Sequence, residues 1–218
     1  MRHLWQRFLP SLTSGVRTAL AVLAAAYLAE VIGRCTSAYN LPAWLALNGP
    51  AFMKGRVWSV CTYVLLPAGL LDLLFNGLVL ACLGPLIERR WSRGELWSYF
   101  LVTATGAGLV KVALQPSNPA LLTGTGPVIF GLIAAWGQLY GREEIRLGLI
   151  GQTTVRRAAL LLAAITFLTT AASAGLVAAA VTLSGGLVGW LYLSLRWKCN
   201  LARRSRTVTS QRMGRLEL

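Results

Sequence analysis

The stretch that decides the fold class covers residues 66–91 and reads LPAGLLDLLFNGLVLACLGPLIERRW. Its apolar part, Leu66–Ile87, carries one charged side chain, that of Asp72, and is followed by Arg89 and Arg90. About 20 predominantly apolar residues cross the hydrocarbon core of a bilayer as a helix, and flanking arginines are typical of the cytoplasmic side of a span. This stretch therefore predicts a transmembrane helix.

The composition of the whole chain agrees with that prediction. Of its 218 residues, 56% are hydrophobic and only 13% are charged, with a formal net charge of +14. Soluble domains carry about 25% charged residues, and disordered chains are poor in apolar residues. Both classes are excluded, and the composition predicts a polytopic membrane protein.

The apolar blocks predict six spans and an all-α fold. The last block, Ala158–Leu195, is too long for one span, and its small-residue patch Ala171–Gly175 divides it into two. The four blocks before it are Gly15–Ile32, Leu66–Ile87, Leu96–Leu114 and the short Gly126–Tyr140.

The segment Cys35–Leu65 lies between the first two blocks and differs from them. It contains Pro42, Pro50, Trp44 and Trp58 among scattered polar residues. Such a composition predicts an interfacial loop with aromatic anchors after the first helix, not a further crossing. No strands are expected anywhere in the chain.

The distribution of basic residues supports six spans. In a six-span protein, both termini and the second and fourth loops lie on one face of the membrane. Only four basic residues of this chain would then lie on the other face: Arg34, Lys54, Arg56 and Lys111. The remaining seventeen of the 21 lysines and arginines fall on the first face. This positive-inside bias predicts that both termini face the cytoplasm or a mitochondrial matrix.

The chain divides into a basic start, residues 1–14, a membrane domain, residues 15–197, and a basic tail, residues 198–218. The acid-free, arginine-bearing start is typical of mitochondrial targeting segments, so the mitochondrial inner membrane is favoured over a bacterial inner membrane. Free basic tails are normally disordered. The tail arginines Arg203, Arg204 and Arg206 predict contact with anionic lipid or a partner, and nucleic acid is not expected.

Metal and cofactor chemistry is not expected. The cysteines Cys35, Cys61, Cys82 and Cys199 have no metal-ligand spacing, and His3 is the single histidine. No glycine-rich phosphate loop follows a strand, so no cofactor is predicted.

Several motifs, taken in order, resemble the rhomboid superfamily. The segment Trp58–Thr62, WSVCT, and the residues LFN ending at Asn76 correspond to the family's W-R-x-x-T and H-x-L-F-N motifs, and Gly84–Arg89, GPLIER, corresponds to its G-x-x-x-E-R corner. Gly124–Gly131, GTGPVIFG, is similar to the family's G-x-S-G-x-x-F-G helix start, and Thr182–Gly189, TLSGGLVG, to its H-x-x-G-x-x-x-G helix. The resemblance implies a rhomboid-like bundle of six transmembrane helices.

The departures from the family pattern concern its chemistry. Rhomboid proteases use a serine on the fourth helix and a histidine on the sixth; these positions are Gly126 and Thr182 here. Asp72 replaces the loop histidine that helps to hold the oxyanion, Ser59 replaces the arginine after Trp58, and Asn76 is retained. The resemblance therefore implies a catalytically inactive member.

Other residues of this region offer a poor substitute for the missing pair. Thr125 and Ser184 carry hydroxyls, but no base is apparent beside them, and serine-type nucleophiles need one. His3 precedes the first span, on the face opposite to the rhomboid site. An anionic Asp72 would repel the oxyanion of an acyl-transfer reaction. An intramembrane peptidase is kept only as an alternative.

The small residues at these positions have a packing interpretation. Gly185 and Gly189 are four residues apart, and Gly126 and Gly131 offer small surfaces on the fourth helix. Small residues let helix backbones approach closely in membranes. We expect the fourth and sixth helices to pack here, with a groove for a partner's transmembrane helix as the alternative.

Polar side chains near membrane depth are expected to face the protein interior or water. Lys111 either pairs with Asp72 across two helices or reaches towards the surface near Gln115. The charged corner Glu88–Arg93 is expected to be solvated, with Arg89, Arg90 and Trp91 contacting headgroups or a partner.

The sequence thus predicts an inactive rhomboid-like protein acting as an accessory subunit or scaffold. Its expected partners are other integral membrane proteins of a larger complex, and anionic lipid at the basic face. The alternative is derlin-like handling or dislocation of membrane protein clients.

Overall fold

The structure, a computed structural model, describes residues 12–36, 40–147 and 151–213. Helices make up most of this part of the chain, with a 3-10 turn at Tyr63–Leu65 and one pair of strands. In chain order the elements are α1 (Ser14–Thr36), α2 (Leu41–Leu45), α3 (Gly49–Met53), α4 (Ser59–Thr62), α5 (Leu70–Arg90), α6 (Arg93–Leu114), α7 (Gly126–Leu139), β1 (Glu144–Leu147), β2 (Gly151–Thr154), α8 (Val155–Ala174) and α9 (Leu176–Met213). The all-α, polytopic fold predicted from the sequence is confirmed.

Five helices of the described chain, α1, α5, α6, α8 and α9, are long and apolar enough to cross a membrane. The remaining apolar helix, α7, has 14 residues, which at 1.5 Å per residue span only about 21 Å. It lies inside the bundle, where α5, α6, α8 and α9 all contact it. Most of α7 is buried against these neighbours, so it meets protein over most of its surface.

The core joins α7 to the helices on either side of it. Val16 on α1, Ile87 on α5, Tyr99 on α6 and Leu132 on α7 are fully buried within one apolar cluster. Lipid is as apolar as these side chains, so the hydrophobic effect does not drive helices together within a membrane. Close packing of this kind and hydrogen bonds between helices stabilise membrane bundles instead.

The interfacial loop after α1 folds into α2, α3 and α4. Asn40 and Asn48 accept hydrogen bonds from the backbone N–H groups of Ala43 (3.1 Å) and Ala51 (2.7 Å), and so cap α2 and α3. A proline follows each of these caps in the first turn, where its missing N–H is tolerated.

Two contacts fasten this loop to the bundle. Leu47 and Leu122 exchange backbone hydrogen bonds of 3.1 and 2.7 Å, which ties the loop to the segment that leads into α7. Tyr63 is fully buried and donates its hydroxyl to the Ala104 carbonyl oxygen on α6 (3.1 Å). Burial raises the pKa of Tyr63 above its ordinary value, so the hydroxyl stays protonated and able to donate.

The expectation that the chain has no strands is wrong. β1 and β2 form an antiparallel pair between α7 and α8, in a register that runs from Glu144 opposite Thr154 to Leu147 opposite Gly151. Ile145, Thr153 and Thr154 are β-branched residues, which fit a strand better than a helix. Charged residues surround these positions, so the composition of this segment did not indicate a strand.

The predicted start of the basic tail lies within a helix. α9 has 38 residues and continues through residue 198, where the tail was predicted to begin, as far as Met213. Residues 197–213 contain neither glycine nor proline, and extending an existing helix is far easier than starting one. Their side chains lie outside the described part of the structure.

Candidate functional site: the α7–α9 contact

The two positions that replace the rhomboid serine and histidine face each other. A Cβ atom added to Gly126, at the start of α7, would lie 3.3 Å from the Cγ2 methyl of Thr182 on α9. The Oγ1 atom of Thr182 would lie 3.9 Å from the same Cβ atom, and its hydroxyl donates to the Ala178 carbonyl oxygen (2.8 Å) within α9. The nearest approach therefore joins a backbone to a methyl group, and the hydroxyl is hydrogen-bonded within its own helix.

The neighbouring hydroxyls lack a base. Ser184 donates to the Val181 carbonyl oxygen (2.6 Å) within α9. Thr125 is buried, and its hydroxyl has no hydrogen-bond partner among the residues that the structure describes. His3 lies outside the described residues.

Asp72 and Asn76 form hydrogen bonds at the start of α5, beside the segment before α7. Asn76 donates from Nδ2 to Asp72 Oδ1 (2.6 Å), and the Ala68 N–H donates to Asp72 Oδ2 (3.0 Å). Gly124 has φ +108°, a conformation that favours glycine, and a Cβ there would lie 3.5 Å from the same Oδ2 atom. Asp72, Gly126 and Thr182 are thus brought to one region, as expected if the rhomboid framework is retained.

Asp72 and Lys111 do not pair. Lys111 is buried on α6 and donates from Nζ to Gln115 Oε1, one turn further along the same helix. Lys111 is directed towards Gln115, as the second sequence-based alternative has it, but it is buried and does not reach the surface.

Three glycines of α7 and α9, Gly131, Gly185 and Gly189, lie where no side chain fits. A Cβ on Gly185 would overlap the Pro127 carbonyl oxygen and lie 2.7 Å from its carbonyl carbon. A Cβ on Gly131 would lie 2.7 Å from the Thr103 Cγ2 atom on α6. A Cβ on Gly189 would lie 2.9 Å from the Cζ atom of the Tyr99 ring. These positions allow α6, α7 and α9 to approach at backbone distance.

Tyr99 completes this contact and was missed by sequence reasoning. It is fully buried, and its hydroxyl donates to the Gly131 carbonyl oxygen (2.5 Å), a bond between α6 and α7. An aromatic residue within an apolar block looks like any other core residue until its hydroxyl partner is known.

Glu88 is a second residue whose role the sequence did not predict. The expectation that it is solvated is wrong, because its carboxylate is buried and caps the start of α1. Oε1 accepts from the Gly15 N–H (2.9 Å), and Oε2 accepts from the Val16 N–H (3.0 Å) and from the Thr13 hydroxyl. The first N–H groups of a helix have no partner within it, and a negative charge is favourable there.

The corner that follows Glu88 makes contacts within the molecule. Arg90 donates to the Leu139 carbonyl oxygen (3.0 Å) at the end of α7 and lies over the Tyr140 ring, 4.5 Å from its centroid. Trp91 packs edge-on against Tyr99, with centroids 5.1 Å apart. Contact of Arg89, Arg90 and Trp91 with lipid or a partner stays a prediction, and the side chains of Arg203, Arg204 and Arg206 lie outside the described part.

A helical bundle with a short central helix, and glycine and threonine at the facing positions of α7 and α9, defines a rhomboid-like integral membrane protein. The chain belongs to the family described as "Eukaryotic integral membrane protein (DUF1751)", whose profile matches residues 17–196. That range runs from the first turn of α1 to the end of the apolar part of α9.

A curated relative carries the rhomboid connection. The chain is 27% identical over 109 residues to the rhomboid protease GluP of Bacillus subtilis (strain 168), a match that covers 50% of this chain and 21% of that protein. The chain thus matches only about a fifth of the protease's length. The superfamily resemblance seen in the motifs is confirmed.

Proposed function

We propose that this protein is a catalytically inactive rhomboid-like scaffold, which acts as an accessory subunit of a larger membrane protein complex. The observation that carries the proposal is the contact between Gly126 and the Thr182 methyl group. In that contact a backbone and a carbon atom occupy the positions at which a rhomboid protease needs its nucleophile and base.

The chemistry of acyl transfer supports the inactive assignment. A hydroxyl becomes a nucleophile near neutral pH when a base takes its proton. The Thr182 and Ser184 hydroxyls instead donate hydrogen bonds to backbone carbonyl oxygens of their own helix. Asp72 is engaged by Asn76 and the Ala68 N–H. An anion beside the site would also destabilise the oxyanion that the reaction forms.

The scaffold assignment is supported by the surfaces left for partners. The helices that face lipid expose many large apolar side chains, such as Leu71 on α5 and Leu168 on α8, and these faces suit other transmembrane helices. α9 also continues about 17 residues past its apolar part, which ends at Arg196. At 1.5 Å per residue this extension is about 25 Å long, and it carries Arg203, Arg204 and Arg206.

The inactive assignment is tested with a serine-directed fluorophosphonate probe and a transmembrane test substrate in proteoliposomes. We expect neither labelling nor cleavage, with an active rhomboid protease as the positive control. Labelling that Thr125→Val or Ser184→Ala abolishes would overturn the assignment.

The scaffold assignment is tested by extraction in a mild detergent, native sizing and mass spectrometry of the co-purifying proteins. We expect a discrete particle much larger than the 23.5 kDa chain in its micelle, with constant partners in fixed ratio. A monomer-sized peak with many substoichiometric passengers would contradict a fixed subunit and favour the derlin-like alternative.

The compartment and orientation form part of the same proposal. We place the protein in the mitochondrial inner membrane, because its start is rich in arginine and free of acid, with both termini and the anionic-lipid contact on the more basic face. Fractionation of cells that express a tagged full chain tests the compartment. Recovery with another organelle would refute the mitochondrial assignment and leave the scaffold role standing.

A further inference from the structure

A cleft of about 1180 Å³ lies between α7, α8 and α9, away from the Gly126–Thr182 contact. Its length along α7, from Phe130 to Gln138, is about 12 Å at 1.5 Å per residue. Its walls are mainly apolar and include Phe130, Ile133, Ala163, Leu183, Leu187 and Trp190.

Exposed apolar side chains of α8 and α9 line the cleft. Leu160 on α8 and Leu187 on α9 form its rim, and both are 64% exposed. Two small residues, Gly137 and Ala159, meet at its base. A Cβ atom added to Gly137 would lie 3.2 Å from the Cβ atom of Ala159. An apolar chain lying in the bilayer can therefore enter without crossing a polar barrier.

One end of the cleft is cationic. Arg142 and Arg156 line this end, where the strand pairing continues through a hydrogen bond from the Val155 N–H to the Glu143 carbonyl oxygen (3.0 Å). A Cβ on Gly141 would lie 3.6 Å from the Cβ of Arg156. The backbone thus brings the two arginines to the same place.

These two charges lack an anion within the described protein. The carboxylate of Glu143, which also lines the cleft, lies 4.0 Å from Arg90, and neither Arg142 nor Arg156 forms an ion pair with a side chain that the structure describes. Like charges placed opposite each other are unfavourable, so an anion between the two arginines would remove a cost.

We propose that this cleft binds one anionic phospholipid, with an acyl chain between α7, α8 and α9 and its phosphate between Arg142 and Arg156. The chemistry of the two ends matches an amphiphile, and basic pockets between transmembrane helices hold anionic headgroups. The site deepens the proposed lipid contact of the basic face and rests on the orientation proposed with it. It does not depend on the absence of catalysis.

The test is native mass spectrometry of the full chain, released from detergent after equilibration with dioleoyl phosphatidylglycerol or dioleoyl phosphatidylcholine at equal concentration. We expect one phosphatidylglycerol per chain, preferred at least tenfold over phosphatidylcholine. Arg142→Gln with Arg156→Gln should remove that preference, whereas Arg157→Gln, a neighbouring arginine outside the cleft, should keep it.

A second pair of variants tests the apolar part. Leu187→Trp narrows the cleft and should lower retention of phosphatidylglycerol at least tenfold, whereas Leu191→Trp, one turn further along α9, should retain it. An unchanged preference in the double arginine variant, or a co-purified polypeptide that Leu187→Trp displaces, would refute the lipid site. A third outcome would move the site. If the double variant of Arg142 and Arg156 keeps the lipid and the double variant Arg89→Gln with Arg93→Gln loses it, the contact of the basic face stands and the cleft is the wrong location.

Discussion

At the scale of single residues, the carboxylate of Glu88 has three hydrogen-bond donors to lose. It accepts from two backbone N–H groups and one hydroxyl at the start of α1, all within a buried environment. Replacing one oxygen by an NH2 group, in Glu88→Gln, sets a donor against a donor. We expect a loss of about 1–3 kcal/mol in the free energy of unfolding, the cost of leaving a buried donor without a partner.

The measurement is thermal or denaturant-induced unfolding of the detergent-solubilised protein, followed by tryptophan fluorescence. Glu143→Gln is the matched control. The Glu143 side chain is 59% exposed, and its ion pair with Arg90 is long, at 4.0 Å. Exposed ion pairs contribute less than about 1 kcal/mol. Equal effects of the two substitutions would contradict the capping role of Glu88.

Gly185 gives a prediction of a different kind, in which a single added methyl group separates two helices. A Cβ there overlaps the Pro127 backbone, so α7 and α9 must move apart in Gly185→Ala. We expect a loss of about 1–3 kcal/mol, typical of overpacking.

The matched control is Gly94→Ala, in the first turn of α6, where an added Cβ meets no atom within 4 Å. Alanine is also the better helix former, so the unfolding midpoint should stay the same or rise slightly. A stable Gly185→Ala protein would mean that the α7–α9 contact is looser than the structure has it.

The separate partners of Asp72 and Lys111 predict that substitutions there act independently. Asp72→Leu breaks the bonds to Asn76 and Ala68, and Lys111→Met breaks the bond to Gln115. In a double-mutant cycle on unfolding we expect a coupling energy below about 0.5 kcal/mol, as for distant sites. A larger favourable coupling would show that the two side chains pair after all.

At the scale of elements, the sequence predicted the apolar helices of the bundle well and the short helices of the interfacial loop poorly. The predicted span Gly126–Tyr140 differs from α7 by one residue, and the small-residue patch Ala171–Gly175 contains the break between α8 and α9. Hydrophobicity decides where such helices lie, and it is readable in one sequence. The β1–β2 pair and the extension of α9 depend on neighbouring structure, so composition alone did not reveal them.

The caps of the interfacial helices give a prediction at this scale. The Asn48 side chain is half-buried and makes the shorter bond, to Ala51, whereas Asn40 is exposed. Asn48→Ala should cost about 1 kcal/mol, the usual value of a lost N-cap, and Asn40→Ala less. Protease cleavage within residues 40–62 should speed up more in the Asn48 variant, and the reverse order would contradict the assigned caps.

At the scale of the whole molecule, the candidate site was partly predictable. Motif order identified Gly126, Thr182 and Asp72 as positions that belong together, because a retained framework keeps its spacing. The roles of Tyr99 and Glu88 depend on partners 32 and 73 residues away, and the cleft depends on three helices at once. Such long-range contacts leave no local pattern in a single sequence.

The charge distribution predicts the orientation of the molecule. Cys35 is exposed at the end of α1, and Ser92 is exposed between α5 and α6, so they should lie on opposite faces of the membrane. In variants with a single cysteine at 35 or 92, a membrane-impermeant maleimide should label only one of them in sealed vesicles. Detergent should expose both, and labelling of both in sealed vesicles would contradict this orientation.

The cap on α1 also has a consequence for the order in which the protein is made. Glu88 is synthesised 73 residues after Gly15, so the ribosome has produced most of α5 before the first turn of α1 can be completed. Until then the N–H groups of Gly15 and Val16 must stay with water at the membrane surface, because unsatisfied groups are too costly in hydrocarbon. We therefore expect the first turn of α1 to be completed only when α5 lies beside it, and a nascent chain that stops before Glu88 to lack this cap.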